Sequence, residues 1–232
     1  MSELPPIPMV LIPLALLFVV WSVRRRARRV AFIRAYRFPP GLIERFGARH
    51  PQLDGRARHL VARGLRQFFL AYLKSGRKPV SMPSQVVDDL WHEHILHTRH
   101  YQQFCDRAFG RFLHHTPATA LGPNRQNNSG LRRVWWHACR EENIDPREPA
   151  RLPLLFALDR QFNIPGGFRY ALNCQALIDR DGASTGQPVH CAGDMTSTAF
   201  DGSSDGFGDS WFSGDGDGDG DGGGDGGGCG GD

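Results

Sequence analysis

The chain begins with a run of twenty residues, Leu4 to Val23, that contains no charged side chain. At a rise of about 1.5 Å per residue, a helix of that length just crosses a hydrocarbon core of about 30 Å. Three of its four prolines lie where such a helix would begin, and the fourth, Pro13, is tolerable as a kink. The run therefore predicts a single transmembrane anchor at residues 4–23.

Five arginines follow this apolar run directly, within residues 24–29. A cleaved signal peptide has the opposite order, because its positive charges precede the apolar stretch. Positively charged flanks stay on the cytoplasmic side of a membrane. The order therefore predicts an outward N-terminus, a basic juxtamembrane segment at residues 24–38 and a cytoplasmic body, in a bacterial inner membrane.

Charge is distributed unequally along the rest of the chain. Residues 1–193 hold all 28 Lys and Arg against 14 acids, a formal charge of +14, whereas residues 194–232 hold ten Asp and no base. A basic body beside a membrane attracts anionic lipid, and nucleic acid is disfavoured because no recognised binding motif accompanies the arginines. The Gly/Asp-rich composition of residues 193–232 predicts a disordered tail.

Helical periodicity dominates the body, residues 39–192, with no sustained alternation typical of strands. We predict a mainly α fold, with one all-α domain of about five helices and at most one short strand at residues 167–172. The expected helices span 42–49, 56–74, a long segment from Pro83 to Phe112, 131–143 and 153–162.

The five cysteines are widely spaced, odd in number and include no Cys-x-x-Cys pair. Such spacing indicates neither a disulfide framework nor a zinc ribbon. We therefore expect reduced thiols. Cys105 would act as a nucleophile only beside a cationic neighbour, which spacing alone does not establish.

Six of the ten histidines lie between His92 and His115, which makes this segment the candidate for chemistry. The His-Glu-x-x-His pattern of zinc proteases fails here, because Leu96 stands at the second histidine position. Asp88 and His92 share a helix face at i,i+4 spacing, whereas His92 and His94 point about 200° apart.

Two metal-binding faces follow from this spacing. The favoured one joins Asp88, His92 and His115, because a carboxylate beside imidazoles suits a divalent transition metal. The alternative face carries His94 and His97. A third interpretation needs no metal, since helix histidines can be core or interface residues whose ring nitrogens are satisfied by Asp88, Asp89 or Glu93.

The same segment carries a family resemblance. Trp91, His92, His94, Tyr101 and Cys105 form a Trp-His-x-His core with a later Tyr and Cys. With the run from Leu152 to Asp159, this core resembles the glycine-rich domain-containing protein-like family, in its bacterial members. The resemblance covers about residues 80–170 and implies no activity, substrate or metal.

Three hypotheses for function remain at this point. The first is a membrane-anchored, non-enzymatic module that binds a protein partner. The second is a metal-binding domain, with or without enzymatic activity, at the histidine-rich helix. The third is a scaffold that senses anionic lipid through its juxtamembrane arginines. The sequence identifies no small-molecule substrate and no reaction.

Overall fold

The computed structural model describes residues 7–39, 41–115, 129–172, 189–192 and 195. In these ranges the chain forms seven helices and two short strands, so the predicted mainly α class is confirmed. The tail predicted at residues 193–232 lies outside the described residues, apart from Met195. The elements are α1 (Ile7–Ala35), α2 (Leu42–Arg49), α3 (Gly55–Lys74), α4 (Gln85–Leu96), α5 (Thr98–Ala108), α6 (Ser129–Glu141), α7 (Leu154–Gln161), β1 (Arg169–Ala171) and β2 (Val189–Cys191).

One continuous helix, α1, covers residues 7–23 of the predicted anchor and residues 24–35 of the predicted juxtamembrane segment. The large apolar side chains between Leu11 and Val23 are 46–66% exposed. Further along, Ile33 is fully buried, and Val30, Phe32 and Tyr36 pack against the same core. The end of α1 is therefore part of the folded domain. In the described part of the chain, no helix has both the length and the apolarity that crossing a membrane requires.

Helix α3 is the central helix of the domain and contacts α1, α4, α6 and α7. The Asp54 side chain begins it by accepting a hydrogen bond from the Ala57 N–H at 2.7 Å. A Cβ at Gly64 would lie 2.7 Å from the Leu158 side chain, so glycine lets α3 and α7 approach closely. The span predicted for α3, residues 56–74, is confirmed to within one residue.

The long helix predicted from Pro83 to Phe112 is wrong, because the chain turns at His97 and continues as α5. On a continuous helix, Trp91 and Tyr101 would lie about 15 Å apart. After the turn, the Trp91 indole N–H donates to the Tyr101 hydroxyl at 3.1 Å. Burial of the Trp91 and Tyr101 rings in one core favours the turn. Because of it, six helices follow α1, where about five were predicted.

The predicted short strand is confirmed as β1, and it pairs in parallel with β2, which the sequence did not reveal. Cys105 and Cys139 are free and buried, as expected for reduced thiols. Cys191 is disulfide-bonded, so that expectation is wrong at this position. Wide spacing gave no sign of it, because a disulfide depends on proximity in space rather than in sequence.

Candidate metal centre

The start of α4 is held by a carboxylate from another helix. Asp159, on α7, is 3% exposed. Its Oδ1 accepts from the Ser84 hydroxyl at 2.7 Å and from the Val86 N–H at 3.1 Å. Its Oδ2 accepts from the N–H groups of Gln85 and Phe168 at 2.7 and 2.8 Å. A negative charge at a helix N-terminus is favourable, so Asp159 fixes where α4 begins and how it is rotated.

Asp88 and His92 lie one turn apart on the outer face of α4, and His115 returns to them from the segment after α5. Asp88 Oδ1 is 2.9 Å from His115 Nε2, and Asp88 Oδ2 is 3.5 Å from His92 Nδ1. The rings of His92 and His115 have centroids 4.3 Å apart. One ligand atom from each residue lies within 4.8 Å of the other two. The structure thus brings together the three residues of the favoured face.

A buried chain of hydrogen bonds places His115. Trp91 donates to the Tyr101 hydroxyl, which donates to the Leu113 carbonyl oxygen at 2.5 Å. The Trp91 ring also contacts the His115 ring edge-on, with centroids 4.7 Å apart. Trp91 and Tyr101 therefore hold the returning segment at the level of Asp88. Trp91 of the Trp-His-x-His core and the later Tyr101 thereby have a physical role, which is to position His115.

The donor atoms, one carboxylate oxygen and two imidazole nitrogens within 4.8 Å of one another, are of the types that a first-row divalent metal binds. Tetrahedral zinc with bonds of about 2.0–2.1 Å has its ligands about 3.4 Å apart. Here Asp88 Oδ1 is hydrogen-bonded to His115 at 2.9 Å, and Asp88 Oδ2 lies 3.5 Å from His92. The side chain of His92 is 45% exposed, whereas those of Asp88 and His115 are 19% and 15% exposed. A metal here would have one side open to solvent, where a fourth ligand could bind.

The alternative face does not form a comparable group. His94 is fully buried, and its Nε2 lies 3.1 Å from the Tyr36 hydroxyl. Burial lowers the pKa of His94 to about 3, with smaller contributions from His97 and His100. In the described ranges, three metal-ligating side chains converge only at Asp88, His92 and His115. His94 joins α4 to α1 instead.

Of the three acids in the metal-free interpretation, Asp89 and Glu93 have other partners. Asp89 Oδ2 is 3.0 Å from His50 Nε2, and the buried Glu93 forms an ion pair with Arg49 at 2.9 Å. Both partners belong to the end of α2, so these acids join α4 to α2. Asp88 is the acid of α4 that faces His92 and His115, as the metal-free interpretation also predicts.

Cys105 is buried on α5, and burial raises the pKa of its thiol. A nucleophilic cysteine needs the opposite shift, which stabilises the thiolate. Cys105 is therefore a core residue in this structure. Burial likewise raises the pKa of the Cys139 thiol, to about 12.

A family model described as UCP032817-like matches residues 28–195, which is more than half of the chain. The chain belongs to this family. The match runs from the arginines of α1 through β2 and contains the whole candidate metal centre. No curated protein and no solved structure matches the chain. Nothing in the match concerns the glycine-rich domain-containing protein-like family, so that resemblance stays a prediction.

Sequence reasoning missed the residues that support the centre. Asp159 follows Leu155, Phe156 and Leu158, all buried. An acid on such an apolar helix face was a usable signal, because a buried carboxylate needs several donors. The role of Tyr101 gave no such signal, since its partner Leu113 offers only a main-chain carbonyl group.

Proposed function

We propose that this protein binds one divalent transition metal ion through Asp88, His92 and His115, in a helical domain held at a membrane by α1. The convergence of a carboxylate and two imidazoles within 4.8 Å supports the metal site. The donors approach from two separate segments, α4 and the chain after α5. Chelation would therefore also fasten the returning segment to α4.

The donor set favours zinc or a similar borderline ion. Imidazole nitrogen suits Zn, Cu, Fe and Ni, whereas Mg and Ca prefer sites built from oxygen. Three protein ligands with an open position allow a bound water molecule to exchange or be activated. The function supported best is metal binding, and a reaction at the fourth position would be a further property of the same site.

The membrane part of the proposal rests on the first half of α1. Its apolar side chains are exposed around the helix rather than along one stripe, as a lipid-facing segment requires. The arginines after Val23 favour a cytoplasmic domain, whereas the Cys191 disulfide is typical of an oxidising compartment. We assign the orientation from the arginines, because they act during membrane insertion, whereas a disulfide can form later.

Elemental analysis of the full chain, purified in mild detergent without chelators, tests the metal site. We expect about one transition metal ion per chain, lost in Asp88→Asn and in His115→Ala. His114→Ala is the matched control, because His114 is the exposed neighbour of His115 and contacts Phe112 instead. A folded but metal-free chain that also fails to take up added Zn²⁺ or Co²⁺ would refute the site and leave a protein-interaction module.

Alkaline carbonate extraction of membranes tests the anchor. We expect the full chain to stay in the membrane pellet and a chain lacking residues 1–23 to be released. Fusions of the C-terminus to a fluorescent protein and to alkaline phosphatase test the orientation. Fluorescence without phosphatase activity is expected, and the reverse result would place the domain on the oxidising side.

A further inference from the structure

Arginines from two parts of the chain meet at the turn after α5. Gly110 has a φ of +77°, and a Cβ placed there would lie 2.4 Å from Arg29 Nη2 and 3.9 Å from Arg25 Nη2. Both guanidinium groups of α1 thus lie against this turn, in space that a larger residue would take. Glycine at position 110 suits the backbone and also leaves room for Arg29.

Two more arginines approach the turn from the domain. Arg77 donates to the Phe109 carbonyl oxygen at 3.2 Å, and Arg111 donates to the Arg77 carbonyl oxygen and to the Tyr72 hydroxyl. The pKa of Arg29 is lowered by burial, then by the nearby charges of Arg25 and Arg77. The C-terminal ends of α3 and α5 lie at the same turn.

The backbone at Arg77 is strained. Arg77 has a φ of +64° in the turn that ends α3. The other two non-glycine residues with positive φ in the described ranges are asparagines, Asn143 and Asn163, which tolerate this conformation better. The left-handed conformation is unfavourable for a residue that carries a Cβ. A residue kept there at a cost to stability is a candidate for a functional role.

The arginine cluster lies at the level where an anchored domain meets lipid headgroups. Arg25 and Arg29 follow Val23 by two and six residues, which corresponds to a rise of about 3 and 9 Å along α1. Phosphate groups of a bilayer lie just outside the hydrocarbon core. Guanidinium groups bind phosphate oxygens through paired, charge-assisted hydrogen bonds.

We infer that Arg25, Arg29, Arg77 and Arg111 form a binding site for the phosphate of an anionic lipid headgroup. This inference rests on the membrane anchor proposed above and is independent of the metal centre. The domain thereby contributes Arg77 and Arg111 to a surface that would otherwise belong to α1 alone. Lipid binding would hold the domain against the membrane in one orientation.

Thermal unfolding of the full chain in neutral detergent, titrated with phosphatidylglycerol, tests the site. We expect the midpoint to rise by roughly 3 °C or more at saturation, because a ligand of the folded state stabilises it. Phosphatidylcholine and inorganic phosphate at equal phosphorus concentration should leave the midpoint unchanged. Equal shifts with phosphatidylcholine would overturn the inference, and an equal shift with inorganic phosphate would overturn lipid as the source of the phosphate.

Variants separate binding from structural support. Arg25→Gln, Arg29→Gln and Arg111→Gln should each weaken the apparent affinity for phosphatidylglycerol about fivefold. Arg56→Gln is the control, since Arg56 is exposed at the opposite end of α3, about 27 Å away by helix rise. Arg77→Asn should weaken binding while keeping or raising the lipid-free midpoint. A drop in that midpoint with unchanged affinity would show that Arg77 has only a structural role.

Carbonate extraction distinguishes failure of this inference from failure of the anchor. A chain that stays in the membrane but gains nothing from phosphatidylglycerol overturns the lipid site alone. A chain that carbonate releases overturns the anchor, and the detergent titration then decides the arginine site by itself.

Discussion

His92 and His94 are two residues apart on one helix and lie in opposite environments. His92 has a side chain 45% exposed, beside Asp88 and His115. His94 is fully buried among the rings of Tyr36, Phe69, Tyr101 and Phe104. His92 can offer a ring nitrogen to a ligand, whereas the enclosed ring of His94 cannot. Position around the helix axis, rather than residue type, decides which histidine is available for chemistry.

The two histidines also affect stability differently. His94 Nε2 contacts the Tyr36 hydroxyl, while its Nδ1 is buried with no hydrogen-bond partner in the described ranges. A buried polar atom without a partner lowers the stability of the fold, whereas a ring that fills space in the core raises it. His92 fills no cavity. The comparison predicts that His94 matters for folding and His92 for binding.

Asp159 is the common support of both environments, so its removal should have the largest effect. Asp159→Ala leaves four hydrogen-bond donors without their acceptor, and we expect the free energy of unfolding to fall by about 4 kcal/mol. Metal binding should weaken as well, because α4 carries Asp88 and His92. Thermal and denaturant unfolding measure the loss. Asp106→Ala, at an exposed site on α5, should change neither property.

Substituting each histidine separates the two roles directly. His94→Ala should lower the free energy of unfolding by about 3 kcal/mol, because it leaves a cavity among aromatic rings. Metal stoichiometry of the folded fraction should not change. His92→Ala should lose the metal and cost about 0.5 kcal/mol or less in a metal-free sample. The comparison fails if the variant with the larger loss of stability is His92→Ala.

Acidification should reveal His94 without any substitution. Burial lowers its pKa from 6.5 to about 3 in the folded chain, so the unfolded state binds the proton first. Above pH 6.5 His94 is neutral in both the folded and the unfolded state and costs no stability. As the pH falls from 6.5 towards 3, protonation of the unfolded state lowers the free energy of unfolding. At pH 5 the loss is about 2 kcal/mol. His94→Phe should remove this part of the pH dependence, whereas His59→Gln, at an exposed site on α3, should keep it.

A pair of tyrosine variants gives the smallest effects. Tyr101→Phe breaks the chain from Trp91 to Leu113, and a loosened His115 should bind metal about tenfold more weakly. Tyr36→Phe removes the partner of His94 Nε2 and should cost about 1 kcal/mol of stability with metal affinity unchanged. Titration with Co²⁺, followed by its absorption spectrum, measures affinity in both variants. If Tyr101→Phe binds Co²⁺ as tightly as the unsubstituted chain, Tyr101 does not position His115.

Sequence periodicity located most helices because it records which side chains face the core. The bounds of α2 and the pairing of Asp88 with His92 follow from local spacing alone. The turn at His97 has no local signal, because neither Pro nor Gly occurs there. It results from the burial of Trp91 and Tyr101 in one core, which is a non-local contact.

The sequence by itself determined the mainly helical class, the uncharged N-terminal run with its arginines, and the i,i+4 relation of Asp88 and His92. Those properties depend on neighbours within one or two helical turns. Tertiary structure decided that His115 completes the group, that Asp159 holds the start of α4, and that Arg77 lies near Arg29. These contacts join residues 27 or more positions apart, and only packing of the helices sets their distances.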